Sequence, residues 1–464
     1  MKQNNRQNAH QEIDHIFKEL LPARGMAERP VQVALSHKML DAMLDDSIAL
    51  CDAGTGIGKT YAYLVAGIVF SRSRAARGLA NQPVLISTSS IALQNAVLEE
   101  YLPFLSSVLI EDRMTKTPIR AVLRKGKSHY VCDERLKQRL QAVDLTRKSP
   151  RARDALLSLR DHLDLDMAEH LSGYDRARVG VPKVCDCGRE SCRYQCFMEV
   201  CASNWYQVQI CNHNLLLADA IHRNLGRRPL LPEWSTLILD EAHKLPEAAR
   251  QMFGITLTAA EIHELIRVLR RERYLLASEN LEEAAGPVLR ELARPWDEDG
   301  TFSHFAPFLN RPNHTLELIQ KQIGTILPHR TQRQLDQLRD KTALFLQKQR
   351  DMIFYTAEDS HGGTMLCATT PNLTDQLRQT LWRQQKPMIL TSGTLAVGED
   401  FRRFKEATGL LTDSRVRESV SLSPFAYSRN CLMYVSRLPA HQGAGQYYDS
   451  LTAEIAALLD AAHG

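Results

Sequence analysis

The sequence predicts an α/β protein built on a parallel, doubly wound sheet, and three observations predict it. Short runs rich in branched apolar residues, at 47–51, 84–88, 237–240 and 388–391, alternate with segments of helical period. The first run ends in a glycine-rich loop, Asp52-Ala53-Gly54-Thr55-Gly56-Ile57-Gly58-Lys59-Thr60, which leads into an apolar helix from Tyr61 to Phe70. The composition, 44% hydrophobic and 24% charged over 464 residues, supplies a core and excludes a disordered, collagen-like or disulfide-knot chain. At this length about three domains, or one large core with insertions, are expected.

In chain order, residues 1–47 read as two helices parted by a loop near Leu21-Pro22-Ala23-Arg24-Gly25, the second starting at about Pro30. The run at 84–88 is followed by a helix through Leu93, Ala96, Val97 and Tyr101. Two insertions then interrupt the sheet. The first, about 121–200, is basic and cysteine-rich: 14 Lys/Arg stand against 4 Asp/Glu from Arg113 to Arg160, a local excess that the whole-chain charge of +4 masks. The second, about 255–350, is helical, with Ile262, Leu265, Ile266 and Leu269, and again Leu316, Ile319, Ile323 and Ile326, at helical spacing. Pro307, Pro312 and Pro328 are expected to divide it into separate helices. No window approaches the ~18 consecutive apolar residues of a membrane helix, and the start is polar, so the expectation is a soluble, cytoplasmic protein with no membrane partner.

Three clusters carry chemistry. A phosphate cradle needs glycines that let successive N–H groups turn toward an anion, a lysine for the β/γ charge, a hydroxyl for Mg²⁺ and a following helix N-terminus. Gly54, Thr55, Gly56 and Gly58 supply the loop, Lys59 and Thr60 the next two requirements, and Tyr61 onward the helix. Ala53 stands where the strict pattern has glycine. Asp240-Glu241-Ala242-His243 follows an apolar strand, where a nucleoside triphosphatase needs one acid to hold Mg²⁺ and a second to activate water. Six cysteines, Cys185, Cys187, Cys192, Cys196, Cys201 and Cys211, fall within 27 residues and read as metal binding before bridges. Cys51, Cys211, Cys367 and Cys431 read as core, and His213 as a hydrogen-bonding structural histidine. Tyr130, Trp205 and Tyr206 are candidates to stack on bases beside the basic stretch.

The loop 53–60 together with Asp240-Glu241-Ala242-His243 resembles motifs I and II of superfamily 2 helicases, and the cysteine insertion between them resembles the DinG/XPD family. Further pieces match in order. Arg29-Pro30-Val31-Gln32 is similar to the adenine-reading glutamine motif, and Ile86-Ser87-Thr88-Ser89-Ser90 through Gln94 to the strand-contacting motif Ia. Residues 125–132 and 212–219 resemble the entry to and exit from the family's iron–sulfur domain, Leu390-Thr391-Ser392-Gly393-Thr394-Leu395 resembles motif III, and Ser423-Pro424-Phe425 the start of a second motor lobe.

The resemblance implies an ATP-dependent DNA helicase active in DNA repair, with a RecA-like sheet, a cysteine-rich iron–sulfur insertion and a helical Arch insertion. Implied bounds are 1–120, 201–254 and 351–396 for the first motor lobe, 121–200 for the cluster domain, 255–350 for the Arch, and 397–464 for an incomplete second lobe. Gln32 would contact adenine, Lys59 the β/γ-phosphates, Thr60 and Asp240 the Mg²⁺, and Glu241 the attacking water, while His243 couples hydrolysis to DNA movement. Cys132, Cys187, Cys192 and Cys196 would hold a [4Fe–4S] cluster, with Cys185 a rival for Cys187 and zinc on the same thiolates the alternative, in a DNA-binding ATP sensor that does not translocate. Single-stranded DNA and forked or flapped duplex are the implied partners of a monomer. The 72 residues from Gly393 to Gly464 are few for a whole lobe, and no glutamine–glycine–arginine motif VI is present. The expectation is thus a truncated chain, with weak unwinding unless a separate chain supplies the second lobe.

Overall fold

The computed structural model of the chain describes residues 2–146, 150–182, 185, 192–297, 301–347, 352–359, 362–426, 429, 431, 433–438 and 444–462. These form two compact units, Met1–Leu422 and Ser423–Gly464. The larger unit carries ten strands among the described residues: β1 (Ile48–Ala53), β2 (Val84–Thr88), β3 (Ala121–Leu123), β4 (Val208–Cys211), β5 (Thr236–Asp240), β6 (Ile255–Leu257), β7 (Ile353–Glu358), β8 (Thr364–Thr369), β9 (Met388–Ser392) and β10 (Val416–Ser421).

Seven of them make one sheet in the order β10-β1-β9-β5-β2-β4-β3, every neighbouring pair parallel. On one face Ile86, Ile210, Ile238 and Ile389 pack under the helices Lys2–His15, Pro30–Leu44, Lys59–Ala76 and Leu102–Glu111. On the other, Leu50, Leu85, Leu237, Leu239 and Leu390 meet the helices His213–Asn224, Leu245–Phe253 and Leu373–Thr380. Strands covered on both faces need apolar side chains in both directions, which is why the central runs are continuously hydrophobic. Because all seven strands run the same way, the segments after β1, β9, β5, β2 and β4 emerge side by side at the carboxyl edge, where α/β sheets bind ligands.

Residues 397–421, expected to open a second lobe, instead complete this sheet. β10 pairs with β1 from Ile48–Val416 to Ala53–Ser421, and Gly54 N–H donates to Ser421 O at 3.0 Å. Arg417 and Glu418 are exposed, as an edge strand allows, and they hide the strand from a search for apolar runs.

The helical insertion has its own core, formed by the helices Ala259–Arg271, Leu275–Leu292, Asn310–Ile323 and His329–Gln347. Leu257, Leu366 and Ala368 of an antiparallel sheet, β6-β8-β7, belong to the same core. Residues 353–369, where the first motor lobe was expected to resume at 351, join this body instead: β8 pairs with β6 at Ile255–Ala368 and Leu257–Leu366, and Leu366 and Ala368 enter the helices' core. Pro312 does not break a helix. It sits in the first turn of Asn310–Ile323, where its missing N–H costs no bond, while Ile326 lies beyond that helix and is exposed.

In the first insertion the helices Asp133–Thr146, Pro150–Ser158 and Gly173–Val179 enclose a small core of Val131, Leu136, Leu140, Leu156, Leu165 and Val179. Much of its positive charge is paired internally. Lys125 bonds Asp164 and Asp166 at 2.6 and 2.7 Å, and Arg139 bonds Asp175 at 2.6 Å. These acids lie just past the window that looked so basic. Within the smaller unit, Ser436 Oγ donates to Glu454 of the helix Ala444–Ala461 at 2.7 Å, and Cys431, expected in a core, is exposed. Among the described residues no helix is long and apolar enough to cross a membrane.

Candidate active site

The loop after β1 turns on two glycines. Gly56 and Gly58 have φ of 83° and 87°, in the left-handed region that favours glycine. Ala53 is still β1 strand and fully buried, so no glycine is needed there. Gly58 has a second constraint: an added Cβ would lie 2.1 Å from Gln32 Nε2. That amide donates to Gly58 O at 2.7 Å, and Arg29 donates to Gly56 O at 2.8 Å. The N-terminal turn of the helix Pro30–Leu44 thus braces the loop from behind. Gln32 is 4% exposed and grips the loop backbone itself, a contact its motif resemblance alone did not predict. Lys59 Nζ donates to Ala53 O at 3.1 Å, while Thr55 lies at the exposed side of the loop.

Across the edge, Asp240 is 2% exposed at the end of β5. Tyr63, buried one turn into the helix Lys59–Ala76, donates its hydroxyl to Asp240 Oδ2 at 3.3 Å and has the Thr60 side chain beside it. Lys59 acts on Asp240 through its charge. Thr60, Lys59 and Asp240 are therefore neighbours. Burial first, then the charge of Glu241, push the Asp240 carboxyl up to about 6, a value that a nearby cation would oppose.

Glu241 has φ 52°, ψ 43°, a left-handed conformation uncommon for a residue with a side chain. This sharp turn brings Glu241 and His243 to one hydroxyl. Ser392 Oγ, at the end of β9, lies 2.7 Å from His243 Nδ1 and 3.4 Å from Glu241 Oε2, and Thr394 N–H donates to it at 3.3 Å. The same loop closes back on β1: Leu395 and Ala396 N–H both donate to Asp52 Oδ2. Arg29, Asp52 and Tyr63 had no site role in the sequence reading. Arg29 lay in a quoted motif and Asp52 opened the quoted loop, but Asp52 and Tyr63 act through contacts 343 and 177 positions away in the chain.

Further along the edge, Ser90 caps the helix Ile91–Ala96, and Gln94, buried, donates to Thr88 O at 2.9 Å. Ser89 and Ile91 remain exposed beside them. Tyr130 is not placed to stack on a base. It is 3% exposed, packs against Tyr194 and Phe197, and its hydroxyl accepts Lys125 N–H at 2.9 Å. Trp205 is 54% exposed with the Arg120 guanidinium 4.3 Å from its ring centre, a more accessible aromatic surface.

Of the four implied cluster thiols, Cys187 lies outside the described residues. Cys132 is buried before the helix Asp133–Thr146, and Cys192 immediately precedes the helix Arg193–Ala202, on whose first turn Cys196 lies. Their two neighbours are bonded, Arg193 Nε to Asp133 at 2.8 Å, so both helix starts are locked together. Among the described residues, however, no three His, Cys, Asp or Glu side chains converge as a metal site. Cys201 is fully buried, and burial pushes its thiol up to about 11, which suits a core residue rather than a thiolate.

Between the first insertion and the helical one runs a groove of about 660 Å³ whose lining includes Ser128, Arg135, Arg176, Arg267, Arg330 and Arg333. Burial, then the charges of Arg330 and Arg271, pull Arg135 below the usual guanidinium value. Glu261 and Glu264 line it too, and Arg176, Arg267 and Lys341 are each paired with an acid. Its excess positive charge therefore rests on Arg135, Arg330 and Arg333, drawn from both insertions although sequence charge pointed to only one.

No protein-family profile matches the chain. Curated relatives do. The ATP-dependent DNA helicase YoaA of Escherichia coli is 27% identical over 445 residues, covering 89% of this chain and 66% of that protein. The ATP-dependent helicase DinG of Mycobacterium tuberculosis is 26% identical over 492 residues, covering 95% and 71%. The ATP-dependent DNA helicase DinG of Photobacterium profundum is 24% identical over 483 residues, covering 86% and 66%. The chain thus spans less than two thirds of the length of the first and third of these. A solved structure named XPD_APO aligns with 83% of this chain and 57% of its own at 12% identity and a TM-score of 0.37, too distant to bear on function. The chain is a sequence relative of the DinG and YoaA helicases, similar to them over nearly its whole length.

Proposed function

We propose that the chain is the nucleotide-binding part of an ATP-dependent DNA helicase that couples ATP hydrolysis to movement on single-stranded DNA. The observation that carries this is the contact of Tyr63 with both Thr60 and Asp240, which sets the phosphate loop against the acidic turn. In this reading Gly54, Thr55, Gly56 and Gly58 cradle the phosphates, and Lys59 neutralises the β/γ charge. Thr60 and Asp240 share Mg²⁺, Glu241 orients and deprotonates water, and His243 relays the state of the site to Ser392. Gln32 and Arg29 hold the loop in shape, and Gln32 also meets the adenine.

The strand follows the exposed end of β2 at Ser89–Ile91 and the arginine groove between the insertions. Residues 121–200 form the cluster domain, where Cys132, Cys187, Cys192 and Cys196 would hold the [4Fe–4S] cluster; the Arg193–Asp133 bond supports the proximity of Cys132 to Cys192. Through these thiols the chain would tie the starts of two helices of the first insertion to one centre. The helical body from β6 to β8 is the Arch.

The test is binding of Mg²⁺–ATPγS and of a fluorescent single-stranded oligonucleotide by the purified chain. Binding of both, with nucleotide binding lost in Lys59→Ala, supports the proposal. Binding of neither, or nucleotide binding untouched by Lys59→Ala, contradicts it. Anaerobic purification identifies the metal: broad visible absorption means iron–sulfur, and a colourless zinc-containing protein means the alternative ion.

A further inference from the structure

His213 is the buried titratable group that the proposed reaction leaves unused. It opens the helix His213–Asn224 directly after β4, so it stands beside β2, whose other neighbour is β5. The imidazole is 2% exposed. Its Nδ1 lies 2.8 Å from Ser87 Oγ, one residue before the end of β2. Its Nε2 is buried and has no partner of strict hydrogen-bond geometry, while the main chain of Glu241 and Asp240 lies close enough to act on the ring as acceptors. A buried ring nitrogen beside backbone acceptors is placed to bond the turn, so a small shift of that turn makes or weakens the contact.

The turn it faces is the left-handed one at Glu241, φ 52°. In the neutral tautomer that accepts the Ser87 hydroxyl at Nδ1, the ring N–H sits on Nε2, the nitrogen left to meet the Asp240 and Glu241 main chain. The ring is thus a rigid spacer between the strand end that leads to Ser89–Ile91 and the turn that carries both acids.

We infer that His213 is a positioning residue that couples the strand end at Ser87–Ile91 to the acidic turn at Asp240–Glu241, so that single-stranded DNA bound at the first changes nucleotide affinity at the second. This rests on the functional reading above. It concerns the coupling between two sites, whereas that reading concerns their existence.

The test measures the affinity of the chain for Mg²⁺–ATPγS with and without a saturating single-stranded oligonucleotide. The ratio is the coupling, and by linkage it equals the effect of nucleotide on DNA affinity. The wild type is expected to show a ratio of about fivefold or more. His213→Asn keeps an acceptor for Ser87 but cannot reach the turn, so its ratio falls to about one while each separate affinity stays within about twofold. His213→Gln, with an amide N–H near the position of Nε2, restores at least half of the coupling on a logarithmic scale. A purely structural role moves the separate affinities instead, and that result overturns the inference. So does a wild-type ratio of one with both ligands bound, or an unchanged ratio in His213→Asn. If His213→Asn fails to fold, Ser87→Ala breaks the same link from its other partner and decides the matter by the same ratio. Failure of the wild type to bind either ligand contradicts the functional reading itself, a distinct outcome.

Discussion

The carboxylate of Asp52 accepts the backbone N–H groups of both Leu395 and Ala396, at 2.7 and 2.8 Å. The strand that enters the phosphate loop and the loop that follows β9 are thereby one piece, although 343 residues separate Asp52 from Leu395. Asp52→Ala leaves two backbone donors without their charged acceptor, a loss of about 3 kcal/mol. Asp52→Asn keeps an oxygen in place and is milder. Thermal unfolding should rank the midpoints wild type, Asn, Ala; equal midpoints would show that the bonds are idle.

Ser392→Ala removes the hydroxyl shared by Glu241 and His243. The expected result is a fall of about tenfold in maximal ATP turnover, measured on a form of the protein that hydrolyses ATP, with nucleotide affinity unchanged. A loss confined to affinity would place Ser392 in binding rather than in the relay.

Asp240 supplies the pH dependence. Its folded pKa, about 6, lies above the ordinary carboxylate value of 3.8 because burial and Glu241 disfavour the charge. Folding therefore favours the protonated form. The stability it provides is present at low pH and is lost as pH rises toward and through about 6, leaving a penalty of about 3 kcal/mol at neutral pH. Asp240→Asn should raise the melting point of the metal-free protein at pH 7.5 and abolish the part of the rise with ATPγS that depends on Mg²⁺. In the wild type, affinity for Mg²⁺–ATPγS should fall below pH 6, as the proton competes with the cation. A destabilised Asp240→Asn variant would contradict this.

Gly58→Ala meets both a φ of 87° and the Gln32 amide, so it should abolish nucleotide binding. Gln32→Ala removes the brace on Gly58 O and should weaken binding by about tenfold while leaving the fold intact. Equilibrium titration with ATPγS measures both. Full affinity in Gly58→Ala would mean that the loop can be rebuilt.

How much of this was legible in the sequence follows from the range of each interaction. Val84–Thr88 and Met388–Ser392 announce themselves as apolar runs because both faces of the sheet are covered, and the phosphate loop does so through glycines whose φ values are local. β10 escapes the same reading because Arg417 and Glu418 face solvent at the sheet edge. Tyr63 reads as one more residue of an apolar helix; only the arrival of Asp240 from 177 positions away makes its hydroxyl part of the site. Tyr130 shows the converse. An aromatic beside lysines suggests stacking on bases, yet Tyr194 and Phe197 enclose it in a core that no local pattern reveals.

The central claim is that a triphosphate and its cation lie among Lys59, Thr60 and Asp240. Isothermal titration of the chain with ATPγS, with Mg²⁺ and with excess chelator, tests it most directly when repeated on Lys59→Ala and Asp240→Ala. The account predicts one site per chain, dependence on Mg²⁺, loss of binding by at least about a hundredfold in Lys59→Ala, and loss of the Mg²⁺ dependence in Asp240→Ala. Binding of equal strength in all three proteins, or binding indifferent to Mg²⁺ in the wild type, would contradict it.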